Sequence, residues 1–133
     1  MATTQTSPSF NKVMDSGERE SFETGSVRDT RKGKGRYDLL AMCALVRDAK
    51  HMENGAEKYG ERNWEKGQPA SRFIDSAFRH LVKYVLGEKD EDHLAAARWN
   101  LAGVMFLEDM VGKGKLPGSL MDLPERTTTD QTT

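Results

Sequence analysis

The sequence predicts an all-α fold: a compact bundle of three main helices, completed by oligomerisation. Three observations carry this. Three stretches place apolar residues at spacings of three and four, and each stretch runs into a glycine: Gly60, Gly87 and Gly112. No segment alternates apolar and polar residues in the manner of a strand. The two ends are poor in large apolar groups, which leaves about 85 residues to build a core, few for a domain standing alone.

The expected organisation is a disordered N-terminal tail over 1–20, a helical domain over 21–112 and a flexible C-terminal tail over 113–133. Residues 1–20 are rich in Ser, Thr, Gln and Asn, and the chain closes on "ERTTTDQTT". Neither composition buries enough apolar surface to offset the entropy of ordering. Residues 21–36, "SFETGSVRDTRKGKGR", read as a solvated linker, or as a flexible basic lid able to fold over phosphates.

Helix one is expected from Tyr37 or Asp38 to Tyr59, with Met42, Val46, Ala49, Glu53 and Ala56 on one face. Asp38 suits its first turn, and Gly55 inside it costs about 1 kcal/mol relative to Ala. Residues 60–70, "GERNWEKGQPA", form a loop. Ser71 is positioned to cap helix two, which runs to Leu86 and buries Phe73, Ile74, Ala77, Phe78, Leu81, Val82 and Val85. Asp90 is positioned to cap helix three, from about Glu91 to Val111, whose stripe includes Leu94, Ala97, Leu101, Val104 and Met105.

Composition narrows the partners. Twenty Lys and Arg against 21 Asp and Glu give a net charge of -1, so no basic nucleic-acid-binding surface is expected. The single cysteine, Cys43, excludes an intramolecular disulfide and reads as a small buried residue in "LLAMCALV". No apolar run has the length of a membrane span and no signal-peptide pattern opens the chain. A soluble protein of the cytoplasm is the expectation.

Residues able to carry chemistry fall in three places. Glu53 and Glu57 stand one turn apart where the apolar stripe of helix one ends. Like charges at this spacing repel unless a cation lies between them, and carboxylates with waters and phosphates are what Mg²⁺ prefers. Taken alone, the pair is more simply a surface turn, with Glu53 paired to Lys50 and Glu57 solvated. On helix two, Arg72, Asp75, Arg79 and Lys83 form a polar ridge: either an exposed salt-bridge face, or a metal-side carboxylate flanked by guanidiniums that fit phosphate oxygens. On helix three, His93, Ala96, Ala97 and Asn100 share a stripe close to Gly103. Burying such a His and Asn requires partners. His80 flanks the core of helix two, and with His93 it also permits a His/Asp-bound metal. Trp64, beside Asn63, can stack on a nucleobase while Asn63 reads its edge, or can pack the loop onto the helices.

Taken together, "GAEKYGERNWEKG", "SRFIDSAFRHLVKYVLGE" and "DEDHLAAARWN", with "FETGSVRDT" and "GKGRYDLL" upstream, resemble the N-terminal domain family of dATP/dGTP diphosphohydrolases. That family is found largely in bacteriophages and includes MazG-like dGTP pyrophosphohydrolases. The resemblance implies an all-α enzyme that binds Mg²⁺ (or Mn²⁺) through helix-borne carboxylates and hydrolyses purine deoxynucleoside triphosphates to monophosphate and pyrophosphate. It implies Glu53, Glu57 and Asp75 as metal-side and catalytic residues. Substrate contacts would come from Arg36, Lys58, Arg72 and Arg79 at the phosphates and Asn63 and Trp64 at the base, with His80, His93 and Asn100 lining the site. It further implies a homo-oligomer in nucleotide-pool control, in the host cytoplasm if phage-encoded. The sequence departs from the MazG pattern in one respect. It carries Glu-x-x-x-Glu on helix one, and His93 and Ala96 on helix three where a second carboxylate pair is expected. A non-catalytic helical module that binds a nucleotide or a protein is the alternative.

Overall fold

The computed structural model describes residues 10–126; the expected tails at 1–9 and 127–133 lie outside the described residues. The chain divides after Leu40 into two units.

The N-terminal unit holds a two-stranded antiparallel hairpin, β1 (Arg19–Ser21) and β2 (Val27–Asp29), with Arg19 opposite Asp29 and Glu20 opposite Arg28. This corrects the expectation of a linker with no strand. Its turn is closed by Phe22 N–H donating to Ser26 O at 3.0 Å, with Gly25 at a φ of 85° that other residues rarely adopt. Charge rather than apolar alternation supports the pairing. Asp29 accepts from Lys34 Nζ and Ser16 Oγ, each at 2.6 Å. The Lys34 ammonium is the main reason its carboxyl is pulled down to about 2.

A 3-10 turn over Tyr37–Leu39 follows. The first long helix therefore starts later than expected: α1 is Met42–Tyr59. Leu40 is extended, with ψ of 142°, which separates the turn from the helix.

The helical unit comprises α1, a 3-10 turn at Asn63–Lys66, α2 (Ala70–Val85), α3 (His93–Gly112) and a last 3-10 turn at Gly118–Leu120. The all-α expectation holds, with the small hairpin as the one sheet among the described residues. α3 packs extensively against α2 and over a smaller interface against α1. The α2–α3 interface is close because its residues are small. Ala77, Ala95, Ala96 and Ala97 are buried, and a Cβ placed on Gly103 would lie 2.5 Å from Phe73 Cε1. Ala70, Phe73 and Leu107 form the core cluster, covered by Trp99, Val104, Leu116, Leu120 and Met121.

The last three of these covering residues belong to a segment expected as tail. Residues 113–122 instead close the core. Gly67, at a φ of 100°, sits beneath Leu120, whose Cδ1 would be 2.7 Å from any added Cβ. Asp122 accepts a 2.8 Å bond from Ser71 N–H and a second from the Ser71 hydroxyl. Ser71 was expected to cap helix two. The helix begins two residues earlier, with Pro69 at its N-cap and no local side-chain cap. A carboxylate remote in sequence satisfies the free N–H that a local cap would have taken.

α1 differs from expectation in which face it turns inward. None of its residues is buried. Ala44, Asp48, His51, Met52, Gly55 and Ala56 are half-buried, whereas Met42, Cys43, Ala49 and Glu53 are exposed and Val46 is 54% exposed. Cys43 is thus not a core residue. α2 likewise turns Phe78 (66% exposed) and Val85 (80%) outward with Leu81 and Val82, and α3 turns out Leu101 and Met105. An apolar stripe marks the face that favours burial; which surface covers it is a separate matter. Among the described residues no helix is long and apolar enough to cross a membrane.

Candidate functional site

The most concentrated polar chemistry lies where α2 hands over to α3. Gly87, at a φ of 83°, lets the chain reverse after α2, and seven residues bring it back to α3. His80, on the last turns of α2, is 8% exposed, and His93, the first residue of α3, is 2% exposed. Their Nδ1 atoms approach to 2.9 Å, so one proton lies between them, one ring donating and the other accepting. His93 Nε2 contacts Asp90 Oδ1 at 2.8 Å. That contact holds the Asp90 carboxyl below the usual carboxylate range, while burial pushes the His80 imidazole below its ordinary value. Among the described residues, His80, Glu91 and His93 are the one set of three His, Cys, Asp or Glu side chains whose donor atoms lie within 4.8 Å of one another. Two turns further along α3, Asn100 is buried and its amide donates to Ala96 O at 2.8 Å.

Asp90, the expected cap, is therefore occupied with His93. Asp92 caps α3 instead, accepting from Ala95 N–H at 3.1 Å. It also receives a bidentate Arg47 guanidinium at 2.8 and 2.6 Å, the main reason its carboxyl falls to about 2. A reciprocal pair joins the same helices: Arg98 on α3 donates to both oxygens of Asp48 on α1 at 3.0 and 2.8 Å, lowering the Asp48 carboxyl. A recess of about 190 Å³ opens beside this frame, lined by Arg47, Tyr84, Glu91, Asp92 and His93 among others. No site role for Arg47, Asp48 or Arg98 is legible in the sequence, because their partners lie 45 and 50 residues away, beyond any local spacing rule; Glu91 joins His80 and His93 only through the turn between α2 and α3.

The residues expected at a nucleotide site are more dispersed. Glu53 and Glu57 are exposed on α1 and Asp75 is exposed on α2. The three do not form a ligand cluster with donor atoms within 4.8 Å. Lys58 is exposed, its ammonium 5.0 Å from the centre of the Tyr59 ring. Arg72 and Arg79 are exposed, and Arg79 Nη2 donates to Ser76 Oγ at 3.0 Å. Arg36 belongs to the N-terminal unit and makes a bidentate pair with Asp38 at 2.9 Å. Asn63 opens the 3-10 turn after α1. Trp64 follows it and is half-buried, edge-on to Trp99 at 4.9 Å and to Phe106 at 4.8 Å. The indole thus packs its loop down onto α3.

Comparison with known proteins adds one finding. The family model described as dATP/dGTP diphosphohydrolase, N-terminal, matches residues 24–117, from the turn of the hairpin through all three helices into the start of the segment that closes the core. No match was found among curated proteins or among solved structures. The matched region covers most of the chain, and the protein belongs to the dATP/dGTP diphosphohydrolase N-terminal family.

Proposed function

We propose that this protein hydrolyses purine deoxynucleoside triphosphates, dGTP or dATP, to the monophosphate and pyrophosphate, with Mg²⁺ (or Mn²⁺) as cofactor, in control of the nucleotide pool. The observation that carries the reading is the family match over 24–117. The donor set supports the cofactor. Glu53 and Glu57 are exposed carboxylates one turn apart, and neither is engaged in an ion pair among the described residues. Hard oxygen donors free to bind a hydrated ion suit Mg²⁺. When bound, the ion would neutralise phosphate charge and acidify a water.

The protein's own contribution is to hold that ion and orient the substrate. Glu53, Glu57 and Asp75 supply oxygens, one of them accepting the proton of the attacking water. Arg72, Arg79 and Lys58 supply cations for the triphosphate. Asn63, beside the packed Trp64, offers an amide for the base edge. We further propose that the active form is a homo-oligomer. The outward faces of α1 and α2 are apolar, and Glu53 lies on the same α1 face as Met42 and Val46, so covering that face with a second copy sets Glu53 at the edge of the interface.

The test is to incubate the purified protein with each of the four deoxynucleoside triphosphates and Mg²⁺ and resolve pyrophosphate from phosphate. Pyrophosphate released from dGTP or dATP is the expected result. The double variant Glu53→Gln, Glu57→Gln should lose most turnover while keeping its helical circular dichroism. An active double variant with unaltered Mg²⁺ dependence removes these residues from the metal site.

One observation favours a second reading, a binding module without turnover. His93 and Ala96 are buried in helix packing where a second carboxylate pair would complete a metal site. Saturable nucleotide binding with no product from any substrate would establish it.

A further inference from the structure

We propose that His80, His93 and Glu91 form a site for a divalent transition-metal ion of the zinc class, separate from the oxygen-donor site proposed for Mg²⁺. The donor atoms of these three side chains lie within 4.8 Å of one another. Both imidazoles are buried and face each other through Nδ1 at 2.9 Å. In a tetrahedral site with metal–nitrogen bonds of about 2.0–2.1 Å, two ligand nitrogens sit about 3.3 Å apart. The rings are thus within a few tenths of an ångström of a coordinating geometry.

Two further features point to a ligand. Asp90 engages the far nitrogen of His93; a carboxylate on that nitrogen fixes the ring and makes the opposite nitrogen a better donor, the arrangement that accompanies metal-bound histidines. The recess lined by Glu91 and His93 provides an entry path from solvent, and Glu91 is exposed at its rim. Two nitrogens and one carboxylate leave a fourth position for water. Imidazole donors select Zn²⁺ or its first-row neighbours over Mg²⁺.

Binding changes no oxidation state. The ion replaces the proton between the two Nδ1 atoms, and that proton passes to His80 Nε2 by way of solvent. The bound ion ties the end of α2 to the first turn of α3. The sequence permits a His/Asp pair with a metal; the geometry assigns the third ligand to Glu91 and gives Asp90 the role of a positioning residue.

The experiment uses the full chain, freed of metal with a chelator and titrated with Co²⁺. Tetrahedral coordination gives the ion intense visible absorption bands that the aqueous ion lacks, and stoichiometric Zn²⁺ should abolish them. His80→Gln and His93→Gln should each eliminate the bands. Glu91→Gln, at an exposed position that cannot threaten folding, should weaken binding, and Asp90→Asn should weaken it by about 10- to 100-fold. The Glu53→Gln, Glu57→Gln double variant should keep the full spectrum, which separates this site from the Mg²⁺ reading. An unchanged aqueous Co²⁺ spectrum overturns the proposal and leaves a hydrogen-bonded histidine pair. Bands that survive Glu91→Gln and either histidine variant without loss of affinity overturn it equally, since the ion then binds elsewhere.

Discussion

α3 meets two helices in two different ways. Against α2 it presents Ala96, Asn100, Gly103 and Leu107, all buried, and the backbones approach closely enough that Phe73 fills the space a single methyl on Gly103 would need. Against α1 it presents charge: Arg98 to Asp48, and Asp92 to Arg47. No α1 residue is buried, and its apolar face looks away. Apolar burial contributes about 25 cal/mol per Å², whereas an exposed ion pair contributes about 0–1 kcal/mol. The α2–α3 pair should therefore be the stable unit of the chain, with α1 held more weakly until its outer face is covered.

The largest effect should come from the tight interface. Leu107 is fully buried, and Leu107→Ala should cost about 2–5 kcal/mol, read as a lowered urea midpoint at unchanged slope. A loss under about 1 kcal/mol would place the stabilising core elsewhere. Next is Gly103→Ala. Overpacking against Phe73 costs about 1–3 kcal/mol, offset by about 1 kcal/mol of helix propensity. The same substitution in a Phe73→Leu background should be better tolerated, which distinguishes a ring clash from a general helix defect.

The α1 interface should respond to acid and salt rather than to volume. The Asp92 carboxyl is lowered from 3.8 to about 2, chiefly by Arg47. A depressed carboxyl contributes stability that is complete above its unfolded value of 3.8 and is lost as pH falls through about 2. Urea unfolding followed across that window should show a fall in stability that Arg47→Ala makes shallower. A double-mutant cycle on Asp48 and Arg98 should give no more than about 1 kcal/mol, shrinking with added salt. The smallest effect on monomer stability, within about 0.5 kcal/mol, should come from Val46→Ser and Val85→Ser on the outer faces. In sedimentation, however, the same changes should weaken self-association. An unaltered association constant would show that these faces are not covered by a second copy.

The same contrast separates what could be read from sequence. Helix number, order and ends were legible because periodicity and the glycines at 60, 87 and 112 are local signals; the observed helices end at Tyr59, Val85 and Gly112. The small-residue stripe of α3 was legible for the same reason, and His93 and Asn100 are indeed buried with partners. The inward face of α1 was not, since Asp48 and Arg47 find partners some fifty residues on. The hairpin escaped notice because ion pairs and a glycine turn support it in place of an apolar face. Leu116, Leu120 and Met121 are isolated apolar residues in a Gly- and Pro-containing stretch, with no periodicity to reveal that they close the core. The metal-side carboxylates of the proposed nucleotide site rest on family resemblance, since the geometry of one chain does not draw Glu53, Glu57 and Asp75 into a ligand cluster.

The bond from Ser71 to Asp122 spans 51 residues, and its consequence is kinetic. α2 and α3 are neighbours along the chain and can pair through a short loop closure; the segment carrying Leu120 and Asp122 must return across the whole of α3. Its contacts should form after the folding barrier is crossed. Asp122→Ala should then leave the refolding rate nearly unchanged and speed unfolding, so that nearly all of its destabilisation appears in the unfolding limb of the chevron. The segment acts as a brake on opening, and an equal slowing of refolding in stopped-flow measurements would mean that it is already docked at the transition state.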